Sequence, residues 1–161
     1  MSRRKAAIKK IIAPDYKFGS VVVSKFINSM MECGRKETAR KIFYSAINIV
    51  AQKSGSEPLE AFQKVIENVR PLLECAPKRI GGHNITVPRD VSAARAQTLA
   101  IRWLIDASRK RRIGTSMVNG LANEFIDAID NKGNAVKKKI DTHKMAEANR
   151  AFATFKPNEA A

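Results

Sequence analysis

The feature that most constrains this chain is an apolar stripe of helical period that is broken at glycine or proline and then begins again. Val22, Val23, Phe26, Ile27 and Met30 fall on one face of a helix that opens at Ser20, and Gly34 supplies a stop signal. Ala39, Ile42, Phe43, Ala46 and Val50 form a second stripe, ending before Ser54-Gly55. Ser56 and Pro58 start a third, with Ala61, Phe62, Val65, Ile66 and Val69 inward and Pro71 closing it. A fourth carries Ala96, Leu99, Ala100, Trp103 and Ala107; a fifth, capped by Gly114-Thr115-Ser116, carries Leu121, Ala122, Phe125, Ile126 and Ile129. Asn131-Lys132-Gly133 stops the fifth, and a sixth runs from about Asn134 to Ala151 with Val136, Ile140, Ala148 and Phe152 as a weaker apolar side. A striped helix is stable only when its stripe is covered by another, so the expected fold is mainly α, a single domain of about six helices.

One segment breaks the period. Over about 73–88, Ile85 and Val87 alternate against Thr86 beside Gly81-Gly82, the pattern of a β-hairpin with a glycine turn. It carries too little apolar surface to be core, so it is expected to project. The helical domain then spans 20–155, preceded by an extended basic arm over 1–19 that ends at Pro14 and Gly19, and followed by a short flexible tail over 156–161.

Charge decides the class of partner. Thirty Lys+Arg against 15 Asp+Glu leave a formal +15 on 161 residues, an imbalance that repels itself in a compact fold and favours a polyanionic partner. The surplus is clustered: Arg3, Arg4, Lys5, Lys9 and Lys10 in the arm, Arg35/Lys36, Lys78/Arg79, Arg109-Lys110-Arg111-Arg112, and Lys137-Lys138-Lys139 with Lys144 nearby. Arg95 and Arg102 lie two turns apart on one face of the fourth helix. Any one cluster is as well explained by a solvated face, whereas five in so small a chain point to an electropositive surface. By contrast, residues 54–74 are acidic, with Glu57, Glu60, Glu67 and Glu74 against Lys64 and Arg70. Phe26, Phe43, Phe62, Trp103 and Phe125 all sit in apolar stripes, so they are assigned to the core, and RNA is expected to be read by shape and backbone.

Catalytic and metal-binding signatures are missing from the sequence. His83 and His143 stand 60 residues apart without a ligand set around them, and Gly81-Gly82 continues into no phosphate-cradling motif. Glu124, Asp127 and Asp130 could share a helix edge as a nuclease acid cluster, but they read as an ordinary solvated face with no basic partner nearby. No enzyme activity, cofactor, metal or small-molecule substrate is expected. Cys33 and Cys75 are too far apart for a CxxC pair and read as two small buried thiols. No apolar run approaches the roughly 20 residues that span a bilayer, and the opening residues lack the apolar stretch of a secretory signal. A DNA-binding regulator would need base-reading side chains along a recognition helix, whereas these cations cluster at helix ends and loops.

Several stretches resemble a known family. Pro14-Asp15-Tyr16-Lys17-Phe18-Gly19-Ser20 with Lys25-Phe26-Ile27-Asn28, then Glu67-Asn68-Val69-Arg70-Pro71, Arg79-Ile80-Gly81-Gly82 and Leu99-Ala100-Ile101-Arg102-Trp103-Leu104 are similar to the bacterial-type small-subunit ribosomal protein seven family. So are Ser116-Met117, Asn131-Lys132-Gly133, Ala135-Val136-Lys137-Lys138-Lys139 and the run from His143 to Phe152, all in the expected order. The resemblance implies a structural protein of the small subunit that binds the 3′ major domain of small-subunit rRNA and starts assembly of the head. It also implies neighbouring small-subunit proteins, exit-site tRNA and mRNA as partners. The expected location is a cytoplasmic ribosome, with an organellar one as the alternative, and no membrane contact is expected because the apolar stripes are needed for the core. It gives the rRNA side to Arg3, Arg4, Lys5, Lys9, Lys10, Arg35, Lys36, Arg95, Arg102, Arg109, Lys110, Arg111, Lys137, Lys138 and Lys139, and the tRNA and mRNA side to Lys78, Arg79, Gly81 and Gly82 of the hairpin. This chain departs from the family at Ser92-Ala93-Ala94-Arg95-Ala96, where cations and a proline are usual, and at Ile85, where a tyrosine is usual.

Overall fold

The computed structural model describes residues 11–80, 82–111 and 114–155. Among these are six α-helices, α1 (Val21–Met30), α2 (Lys36–Ser54), α3 (Pro58–Val69), α4 (Ala93–Arg111), α5 (Met117–Ile129) and α6 (Gly133–Ala148), with strands β1 (Leu73–Ile80) and β2 (His83–Asp90) and a terminal 3-10 helix, Arg150–Phe155. The expected mainly helical fold with one hairpin is what forms. The arm cations Arg3, Arg4, Lys5, Lys9 and Lys10, together with Gly81, Arg112 and the tail 156–161, lie outside the described residues. The chain divides into two compact units, residues 1–41 and 42–161.

In the first unit, the Pro14-to-Gly19 motif is a turn organised by Asp15. Its buried carboxylate accepts from the Lys17 and Phe18 N–H groups at 3.2 Å, and its carbonyl accepts from Gly19 N–H at 2.8 Å. The turn leads into α1, whose Val23, Phe26, Ile27 and Met30 are buried. The helix ends at Met30, earlier than Gly34, because the chain extends at Met31 and then turns through left-handed backbone at Cys33 (φ 49°) and Gly34. Cys33 is therefore exposed and Cys75 half-buried, which corrects the expectation of two buried thiols.

The core of the second unit is aromatic. Phe43, Phe62 and Phe125 are at most 1% exposed. Phe43 meets Phe62 edge to face at 5.2 Å between centroids, and Phe125 lies 5.9 Å from Phe62. Each such contact is worth about 0.5–1.5 kcal/mol beyond the area it buries. Pro58 begins α3, and Arg70 turns extended ahead of Pro71, which disfavours helix in the residue before it. Asn68 crosses to the end of α5, where its Nδ2 donates to the Ala128 and Ile129 carbonyls at 2.9 and 3.1 Å, supplying partners that the last turn of a helix lacks.

The hairpin is antiparallel and pairs Leu73 with Asp90 through Ile80 with His83. Its base is packed against α6 and the 3-10 helix, with Val87 and Pro88 buried, while Arg79, Gly82, His83 and Asn84 near the tip are exposed. His143 fastens the base: its Nε2 accepts from Leu72 N–H at 3.1 Å, a bond that only the neutral ring can make. Burial, and then the charge of Lys139, lowers the His143 pKa and so favours that form. The sixth stripe is corrected. The buried positions of α6 are Ala135, Val136 and Ala146, whereas Ile140 and Phe152 are 45% and 37% exposed.

The α5–α6 corner turns through left-handed backbone at Asn131 and Gly133, with Lys132 N–H on the Asp127 carbonyl at 2.7 Å. Gly133 has φ +92°, and a Cβ there would lie 2.9 Å from Glu124 Oε1 and 3.1 Å from Asp127 Cβ. Gly133→Ala should therefore destabilise the protein by about 1–3 kcal/mol, read as a lowered thermal midpoint. An unchanged midpoint would show that the corner relaxes freely.

Candidate nucleic-acid interface

The predicted cations fall into two groups, those fixed inside the fold and those exposed. Arg111 belongs to the first. Its side chain points from the last turn of α4 into α5, placing Nε 2.7 Å from Glu124 Oε2 and an amino group against Asp127. Glu124 is 0% exposed. Its Oε1 accepts from Ala135 N–H at 2.8 Å, so a carboxylate from α5 satisfies the first turn of α6, where the N-cap residue Lys132 makes no side-chain cap. The contact with Oε2 is an ion pair that lacks the alignment of a hydrogen bond, so the attraction there is one of charge. This corrects the expectation of a solvated acid edge. Glu124 and Asp127 are structural groups with an arginine between them, and only Asp130 of the trio is exposed.

A second acid takes up two further arginines. Glu74 on β1 is opposite Arg89 on β2, whose Nε donates to Oε1 at 2.6 Å, while Arg95 Nε lies 3.0 Å from Oε2. Burial pushes the Glu74 carboxyl pKa up, but the bonds from Arg95 and Arg89 and their charges outweigh it and leave the pKa below the usual value. The Arg95 side chain remains half exposed. Lys139 is also committed in part, its Nζ donating to the Asn68 carbonyl at 2.8 Å.

Most of the other predicted cations among the described residues are exposed. Arg95, Arg102 and Arg109 recur every seven residues along α4 and follow roughly one line on its surface. Lys110, also on α4, lines a cleft of about 290 Å³ against α6, where it joins Lys137 and Lys138. Arg35 and Lys36 are exposed at the start of α2, and Arg79 is exposed near the hairpin tip with Lys78 half-buried beside it. The structure thus brings together Lys110, Lys137 and Lys138, and separately Arg95 with the base of the hairpin.

Two residues escaped the sequence reading. Arg89 becomes visible only once the register sets it across from Glu74, a cross-strand pair. Trp103 was assigned to the core but is only half-buried and lines the same cleft as the three lysines.

Together these features define a class: a basic, mainly helical protein with one hairpin, whose uncommitted cations stand clear of an apolar core. The sequence pattern of the family described as Ribosomal protein S7p/S5e matches residues 2–150. Small ribosomal subunit protein uS7 of Marinobacter nauticus is 50% identical over 156 residues, covering 97% of this chain and 99% of that protein. The proteins of the same name from Gluconobacter oxydans and Allorhizobium ampelinum are 48% and 51% identical, with the same coverage. The chain belongs to the S7p/S5e family of ribosomal proteins, and is a structural, non-enzymatic constituent of the ribosome.

Removing Arg111 strands a buried carboxylate, whereas removing an exposed lysine does not. Arg111→Ala should cost about 3 kcal/mol or more, and Lys137→Ala should stay within about 0.5 kcal/mol. Urea denaturation of the two variants checks this, and equal midpoints would contradict the division of cations described above.

Proposed function

We propose that this protein is a permanent part of the cytoplasmic small ribosomal subunit, where it binds the 3′ major domain of small-subunit rRNA and nucleates assembly of the head. The observation that carries the proposal is identity of about 50% to small-subunit proteins along nearly the whole chain. Its chemistry agrees: a +15 chain whose arginines at Glu74 and Glu124 are partly used up still exposes lysines and arginines on α2, α4, α6 and the hairpin. Such side chains neutralise phosphate charge and release counterions. In this proposal the arm over 1–19, Arg35, Lys36, Arg102, Arg109, Lys110, Lys137 and Lys138 contact rRNA. Arg95, Arg111 and Lys139 contribute less because each already holds a protein partner. Neighbouring small-subunit proteins complete the set of partners.

Binding to a folded transcript of the 3′ major domain is expected to fall steeply with salt. On duplex DNA, six to ten phosphate contacts lose about 10³–10⁵ in affinity between about 50 and 200 mM salt, and a loss of that order is the result sought. A flat salt response would remove the electrostatic basis of the proposal.

We further propose that the hairpin lies beside exit-site tRNA and the mRNA exit path, with Lys78, Arg79, Gly81 and Gly82 on that side. The paired base and exposed tip make this separable from folding. Replacing residues 79–84 with an Asn-Gly turn should leave the thermal midpoint and rRNA affinity unchanged while altering tRNA occupancy of the exit site in reconstituted subunits. Unfolding of that variant, or normal tRNA occupancy, would refute the assignment.

A further inference from the structure

We infer that the cleft between α4 and α6 holds one unpaired nucleotide of ribosomal RNA, its base stacked on Trp103 and its phosphates met by Lys110, Lys137 and Lys138. The inference deepens the rRNA proposal and rests on it. The two helices pack against each other and line the cleft with matching spacing, Trp103, Asp106, Ala107 and Lys110 from α4 and Asn134, Lys137, Lys138 and Asp141 from α6. Positions i, i+3, i+4 and i+7 share one helix face, so each helix gives a whole face to the site. Among the described aromatics of the apolar stripes, Phe26, Phe43, Phe62 and Phe125 are at most 1% exposed, Phe152 is 37% exposed but lies outside the cleft, and Trp103 is half-buried within it. An indole ring in a cleft with three ammonium groups in its lining offers a base an aromatic face and its backbone a counter-charge.

The volume, about 290 Å³, is at the lower end for small-ligand clefts and suits a single planar base better than a folded peptide. The two carboxylates narrow the choice. Asp106 and Asp141 would repel a phosphate placed beside them, which leaves the backbone to the three lysines. They are acceptors for the exocyclic amino group of adenine, guanine or cytosine, as carboxylates are for cytosine N4 in duplexes. Uracil has no such amino group, so the site is assigned to an amino base.

Trp103 is the one tryptophan in the chain, so its emission reports on this cleft alone. The full-length protein is titrated with the folded 3′ major domain transcript, binding being followed independently by anisotropy of end-labelled RNA. Binding is expected to quench Trp103. W103L should weaken it about fivefold or more, the lower end for loss of one stacked base, while W103F keeps most of the affinity. Quenching in the wild-type protein requires no substitution and so does not depend on W103L remaining folded. In parallel titrations, short oligocytidylate should quench more than oligouridylate. Normal binding with unchanged emission and a neutral W103L overturns the inference and leaves the rRNA proposal standing, whereas failure of the wild-type protein to bind sinks both. Equal quenching by the two oligonucleotides overturns the amino-base assignment.

Discussion

A buried carboxylate between three helices holds the second unit in register. Glu124 on α5 receives a backbone N–H from the first turn of α6 and the guanidinium of Arg111 from the last turn of α4. Charge in a low-dielectric site is costly unless paired, so its two partners must arrive together, and they come from opposite directions in sequence. Gly133 is what allows the approach, since a side chain at that position would meet the carboxylate oxygen. The Asn131-Lys132-Gly133 motif therefore has a packing reason as well as a turn reason. With α4 and α6 fixed at this end, their exposed faces meet as one cleft.

The apolar stripes were legible because helical period is a local property. Phe43, Phe62, Val65, Leu121 and Phe125 could be assigned inward from spacing alone, and each is buried. Helix starts were legible where chemistry marks them, as at Pro58 and at Ser116, whose hydroxyl accepts from Asn119 N–H. The weak sixth stripe failed because α6 buries only Ala135, Val136 and Ala146, small or short side chains that carry little signal, while its larger Ile140 faces solvent. Glu124 was misread for a different reason. An acid on a helix looks solvated unless its partner is known, and that partner is 13 residues away in the preceding helix.

The hairpin shows how a segment with little apolar surface can still be anchored. Pro77 and Pro88 remove ladder donors, which two outer strands tolerate. What fixes the base is polar: Arg89 and Arg95 on Glu74, and the neutral ring of His143 on the Leu72 N–H. These contacts sit away from the tip, where Arg79 is exposed.

Runs of cations are also less uniform than they read. Successive residues on a helix differ by about 100° in direction, so a contiguous run in sequence is divided in space. In the run from Arg109 to Arg111, Arg109 extends the line of Arg95 and Arg102, Lys110 faces α6 across the cleft, and Arg111 turns inward to Glu124. In the run from Lys137 to Lys139, the first two join Lys110 while the third bonds the Asn68 carbonyl. Each run thus supplies both a strut for the fold and a charge for the cleft. It follows that a charge count over such a run overstates what is left for RNA, and that swapping neighbouring cations for neutral residues would have unequal consequences within a single run.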